Sequence, residues 1–218
     1  GLRLTCVTTR VPGATLSDED LTRCLHTMRE RIPDLGLLVI SGSLPDGSDP
    51  RAVTRFVDLA GEHDVKVLVD TSGEALGYAL AAGPYLVKPN LRELSEVTGR
   101  EIEGDDSIVA AARSMIEEYG VSVVVVSKGG EGATLVTRDE VESQASPDVE
   151  VRSRIGAGDS MVAGLALKIA EGASLPHALR FGLAAGAAAV MTPGSELCRA
   201  TDVRRLHQEM LDASRARG

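Results

Sequence analysis

At 218 residues the chain is long enough to bury a substantial core, and its 43% apolar and 25% charged content is that of an ordinary water-soluble protein. A net charge of −9, from 32 acids against 23 bases, argues against broad binding to nucleic acid or to a membrane surface. Only 2% of the residues are aromatic and none is Trp, so the core must be assembled from Val, Leu, Ile and Ala.

The chain opens on Gly1, and residues 2–8 alternate apolar and polar as a strand would, with no initiating segment before them. The expectation is an interior piece of a longer chain. Residues 17–32 read as a helix, with Ser17 as cap and three acids at the positive end of its dipole. Residues 37–41, 65–70, 85–87 and 121–126 are short apolar runs rich in β-branched side chains, the pattern of buried strands. Helical patterns cover residues 49–63 and 105–119, and then 158–170, 175–191 and 202–213. Strands separated by helices of this length imply βαβ crossovers and a mostly parallel sheet. Residues 132–141 read instead as a hairpin that adds antiparallel strands. Without a repeat, low-complexity tract or linker, one α/β domain spanning residues 1–218 accounts for the pattern.

Cys6, Cys24 and Cys198 form no CxxC pair, so they read as reduced, partly buried thiols of a cytoplasmic protein. The most apolar stretch, residues 181–192, falls far short of the roughly 20 residues that cross a bilayer. His26, His63, His177 and His207 show no ligand spacing and read as surface residues on helices.

In doubly wound sheets ligands bind beyond the carboxyl ends of the strands, and there the unusual residues fall. Ser41-Gly42-Ser43-Leu44-Pro45, Lys88-Pro89-Asn90 and Ser127-Lys128-Gly129-Gly130-Glu131-Gly132 each follow a strand pattern. Gly156, Ala157 and Gly158 run straight into a helix, where unpartnered amides and the helix dipole suit a phosphate. Asp159, in the first turn, either caps that helix or accepts a proton from an attacking hydroxyl while the amides hold the phosphoryl group. Asn90 and Glu93 lie one helical turn apart, as oxygen ligands for Mg²⁺, as a capping box, or as both. The Gly-rich turn after the Val-rich strand lets a nucleotide come close, although its spacing is neither a Walker A loop nor GxGxxG. Within it, Lys128 reads either as a phosphate contact or as a solvated turn residue. Residues 181–190 form a helix stripped of bulk, for close packing or for something flat.

In combination these segments resemble the PfkB family of carbohydrate kinases, in matching order from Pro12 to Cys198. Gly156-Ala157-Gly158-Asp159 is similar to that family's C-terminal signature, and Asn90-Leu91-Arg92-Glu93 to its NxxE motif. The likeness is greatest to the phosphofructokinase branch, carried by Val39 to Pro45, by Asp70-Thr71-Ser72-Gly73-Glu74-Ala75-Leu76, by Leu86 to Asn90, by Gly158 to Val162 and by Arg180-Phe181-Gly182. The resemblance implies a ribokinase-like three-layer α/β/α sandwich and phosphoryl transfer from ATP to a sugar phosphate, with fructose 6-phosphate the expected acceptor. Fructose 1-phosphate and tagatose 6-phosphate are the rival acceptors, and a non-catalytic nucleotide-binding fragment or regulatory protein is the rival class.

By the same resemblance Asp159 is the base and Gly156, Ala157 and Gly158 form the anion hole. Lys88, Asn90, Ser127, Lys128, Gly129, Gly130, Gly132 and Ala187 contact ATP, Ser41 touches the sugar phosphate, and Asn90 and Glu93 serve Mg²⁺. A K⁺ site is implied at Ser153, Ile155, Val190, Thr192 and Gly194, and a homodimer in the full-length form. Two departures stand out. Arg152-Ser153-Arg154-Ile155 occupies a place where many members carry an Asp-Thr pair, and the family's N-terminal third has no counterpart. The chain alone is therefore expected to be a poor catalyst.

Overall fold

The first helix is fixed by its own opening residues. α1 (Asp18–Arg31) begins at a capping box in which the Ser17 hydroxyl accepts from the Asp20 amide and the Asp20 carboxylate from the Ser17 amide. The computed structural model describes residues 13–194 and 196–215, so the strand expected over residues 2–8 lies outside the described residues.

β1 (Leu37–Ser41), β2 (Lys66–Asp70), β3 (Leu86–Val87) and β4 (Val123–Ser127) are parallel neighbours in chain order. The hairpin of β5 (Ala133–Val136) and β6 (Val141–Gln144) adds two antiparallel strands beside β4, as its sequence implies. Successive parallel strands laid on one side with a constant crossover hand send every connecting helix to one face. α2 (Ala52–Gly61), α3 (Glu74–Ala81), α4 (Leu91–Thr98) and α5 (Gly104–Tyr119) accordingly share one core with Val67, Val69, Val87, Val124 and Val126. The opposite face, carrying Leu68, Leu86, Val123, Val125 and Leu135, is covered by α6 (Ala157–Ala170), α7 (Leu175–Val190) and α8 (Ala200–Arg215). Because both faces of the inner strands are buried, their sequences are continuous apolar runs rather than alternating ones. β1 differs: its outer edge has no strand partner among the described residues, and Val39 is 39% exposed.

The small-residue helix is explained by packing. A Cβ on Gly164 would stand 2.9 Å from the Gly182 Cα, and one on Gly182 would stand 2.9 Å from the Met161 carbonyl oxygen. α6 and α7 thus meet backbone to backbone, which side chains would prevent.

Some expectations need correction. α2 starts at Ala52 rather than residue 49, because the Asp49 carboxylate takes the Arg51 amide and holds a turn there. α3 went unforeseen. His207 is half-buried on α8, edge-on to Phe181 and His177 with ring centroids at 5.1 and 4.8 Å, and is not a surface residue. Among the free thiols Cys24 is exposed and Cys198 half-buried, while Cys6 lies outside the described residues. Among the described residues no helix is long and apolar enough to cross a membrane.

Candidate active site

Ser41 ends β1 and Asp70 ends β2, and parallel pairing sets them side by side. Beyond β3 the chain turns at Lys88, whose ammonium lies 3.0 Å from the Asp70 Oδ1 with only 7% of its side chain exposed. Burial pushes the Asp70 carboxyl above its ordinary range. Lys88 opposes that effect, and the nearby Asp159 carboxylate adds to it. Desolvation therefore outweighs the ion pair, as it commonly does for a charge pair taken out of water.

α6 delivers the fourth strand-end partner. Its N-cap Gly156 has φ 76°, a left-handed conformation that costs glycine little, and no side chain caps the helix. The first-turn amides are left for a ligand, with the positive end of the dipole behind them. A Cβ built on Gly158 would stand 3.9 Å from the Lys88 ammonium, so the cation borders the same turn. Asp159 is exposed and does not cap: its Oδ1 accepts a 3.0 Å hydrogen bond from the Ser41 hydroxyl, across 118 residues of sequence. A carboxylate, a hydroxyl, an ammonium and a ring of free amides are thereby drawn to one end of the sheet. This set can hold an oxyanion and receive a proton beside it.

A cavity of about 610 Å³ opens from this end, walled by Lys88, Ser127, Gly129, Gly130, Gly132, Ala157, Gly158 and Ala187. Its remaining wall comes from Met161, Leu183, Gly186 and Val190, and from the segment after β6, with Ser146, Pro147, Asp148, Val149, Val151 and Arg154, which was unforeseen in the sequence. Gly132 is forced by that segment: at φ 110° a Cβ there would lie 1.9 Å from the Gln144 carbonyl oxygen.

Lys128 is not on this wall. Its ammonium is 3.0 Å from the exposed Asp105 on α5. Asn90 and Glu93 form a capping box on α4, with the Asn90 Oδ1 accepting from the Glu93 amide at 2.9 Å and the Glu93 Oε2 from the Asn90 amide at 2.9 Å. Both side chains keep further oxygen lone pairs, and the Asn90 backbone bridges to Ser127 on the cavity wall. Ser153, Val190 and Gly194 also converge: the Ser153 hydroxyl donates to the Gly194 carbonyl at 2.6 Å and the Ser153 amide to Val190 at 3.2 Å. Ile155 joins them through its amide, which donates to the Ser153 hydroxyl at 3.2 Å. The buried Thr192 hydroxyl is turned to the Ala189 and Glu196 carbonyls, at 2.7 and 2.9 Å.

Residues 10–202 match the model of the pfkB family carbohydrate kinases. The chain belongs to the PfkB family. It is 39% identical over 198 residues to the ATP-dependent 6-phosphofructokinase isozyme 2 of Escherichia coli, covering 90% of this chain and 64% of that protein. It is also 39% identical over 178 residues to the Escherichia coli 1-phosphofructokinase, covering 82% of this chain and 57% of that one. Among solved structures, phosphofructokinase-2 from Escherichia coli in complex with potassium superposes with a TM-score of 0.83 at 37% identity over 93% of this chain and 65% of that one. The same enzyme in complex with fructose-6-phosphate gives 0.81. Arabidopsis thaliana ribokinase complexed with ribose and ATP gives 0.73 at 25% identity, covering 89% of this chain and 60% of that one. The fold is therefore the ribokinase-like three-layer sandwich, and the chain spans a little under two thirds of the curated PfkB relative it matches at 90% coverage.

Proposed function

We propose that this PfkB chain is the nucleotide- and base-bearing part of an ATP-dependent sugar-phosphate kinase, forming one domain and acting on fructose 6-phosphate. The observation that carries the reading is the Ser41–Asp159 hydrogen bond beside the uncapped α6 N-terminus. In this account Asp159 takes the proton from the acceptor hydroxyl as it attacks the γ-phosphorus. The amides of Ala157 and Gly158 then meet the charge that grows on the phosphoryl oxygens. Lys88 borders the same oxygens, and the nucleotide lies along Ser127, Gly129, Gly130, Gly132 and Ala187. Ser41, hydrogen-bonded to the base, faces the side from which the acceptor arrives.

Mg²⁺, which neutralises and orients the phosphates when bound, would be served by the oxygens of Asn90 and Glu93. K⁺ would lie at the loop contact of Ser153 with Val190 and Gly194, a reading supported by the potassium complex of the Escherichia coli enzyme. Self-association is part of the proposal, in keeping with a tetrameric form of that enzyme. The equal identity to a 1-phosphofructokinase keeps fructose 1-phosphate as the second acceptor. The test is ADP release from Mg-ATP by the full-length form with a panel of free and phosphorylated hexoses. Release with fructose 6-phosphate is expected, whereas release confined to unphosphorylated sugars overturns the assignment.

A further inference from the structure

The charges around the anion turn do not by themselves favour a polyphosphate. Lys88 is the buried cation there, but Asp70 neutralises it at 3.0 Å, and Asp159 and Asp148 add two more carboxylates to the turn and the cavity wall. Without a further cation the site would carry net negative charge, inside a chain whose overall charge is already −9. Like charges gathered around one cavity disfavour a bound anion. Arg154 lies on the same cavity wall, two residues before Gly156, and among the described residues its guanidinium makes no ion pair or hydrogen bond.

We propose that Arg154, on the cavity wall, is a phosphate-binding residue of this chain whose guanidinium contacts the ATP phosphates. The proposal rests on the kinase reading above and adds to it a residue that sets affinity for the triphosphate. Guanidinium presents a planar fork of donors to phosphate and never gives up its charge, so it supplies what the neutralised Lys88 cannot. The site stays open to solvent at Arg154, so the interaction is expected to weaken with salt.

The experiment is calorimetric titration of the wild-type chain, Arg154→Gln and Arg154→Lys with ATP, ADP and adenosine at low and at physiological ionic strength. Arg154→Gln is expected to weaken ATP binding about tenfold, the lower range for a charge-assisted hydrogen bond at an exposed site. Adenosine affinity should stay unchanged, Arg154→Lys should recover part of the loss, and the salt dependence of ATP binding should shrink in Arg154→Gln. An equal loss for ATP and adenosine means that the side chain only shapes the pocket, and overturns the proposal. Equal ATP affinity in wild type and Arg154→Gln overturns this assignment alone, whereas failure of the wild-type chain to bind ATP overturns the kinase reading as well.

Discussion

Replacing Asp70 by Ala isolates the buried pair at the centre of the site. The substitution removes the carboxylate partner of Lys88, whose side chain is only 7% exposed in the wild-type chain. Removing one member of a buried ion pair costs about 3–5 kcal/mol, because the other charge stays desolvated. Asp70 keeps 16% of its side chain exposed and the pair borders an open cavity, so water can partly replace the carboxylate. The expected cost is therefore at the low end, about 3 kcal/mol. For a domain of this size each kcal/mol moves the midpoint by about 2–4 °C, giving a Tm fall of about 6–12 °C. The assay is thermal unfolding across a double-mutant cycle of Asp70→Ala, Lys88→Met and the pair. The double variant should recover much of the loss, since an apolar replacement of the whole pair is often neutral. A fall of less than about 2 °C in Asp70→Ala, within what a surface change of under a kcal/mol gives, would refute the reasoning. So would strict additivity in the double variant.

Two further outcomes follow from the packing of α6 to α8. Gly182→Ala puts a methyl 2.9 Å from the Met161 carbonyl oxygen, and should cost about 1–3 kcal/mol of unfolding free energy by urea titration. Gly99→Ala would be a poor control because of its positive φ, whereas Gly36→Ala, with nothing near its Cβ, should change little. Burial lowers the pKa of His207 below the ordinary 6.5, helped by His177, Lys168 and Arg180. The unfolded chain then binds that proton more readily than the folded one. The stability that His207 supports is thus present above pH 6.5 and is lost as pH falls through the lower folded-state value. Urea midpoints should drop between pH 7.5 and 5.5 by less in His207→Phe than in wild type, and an equal drop would remove His207 as a cause.

The architecture was legible because its main devices are local. Val-rich runs buried on both sheet faces, the Gly132 hairpin and the Ser17 cap each follow from a few adjacent residues. α3 escaped because Gly73 and Gly77 break the pattern of an eight-residue helix that has no side-chain cap. Asp159 and the Gly156 turn were readable as a short motif, but that Asp159 meets Ser41 rather than capping its helix depends on pairing two segments 118 residues apart. The Asp70–Lys88 pair joins two strand ends in the same way, and no spacing announces it. A lysine in a glycine turn suits phosphate or solvent equally well, and the pairing of Lys128 with Asp105 on α5 depends on a fold contact 23 residues away in sequence. The cavity wall from Ser146 to Arg154 has irregular backbone and no periodicity to read.

The central claim is that Asp159 removes the acceptor proton while the α6 amides hold the migrating phosphate. Its most direct test compares initial rates of ADP formation from Mg-ATP and fructose 6-phosphate by the full-length form and by its Asp159→Asn variant, at ATP levels matched to each protein's measured affinity. The account predicts a rate lower by at least ~10²-fold, as for loss of a general base, with ATP affinity nearly unchanged. Equal rates in the two proteins, or a loss that disappears once ATP is saturating, would contradict it.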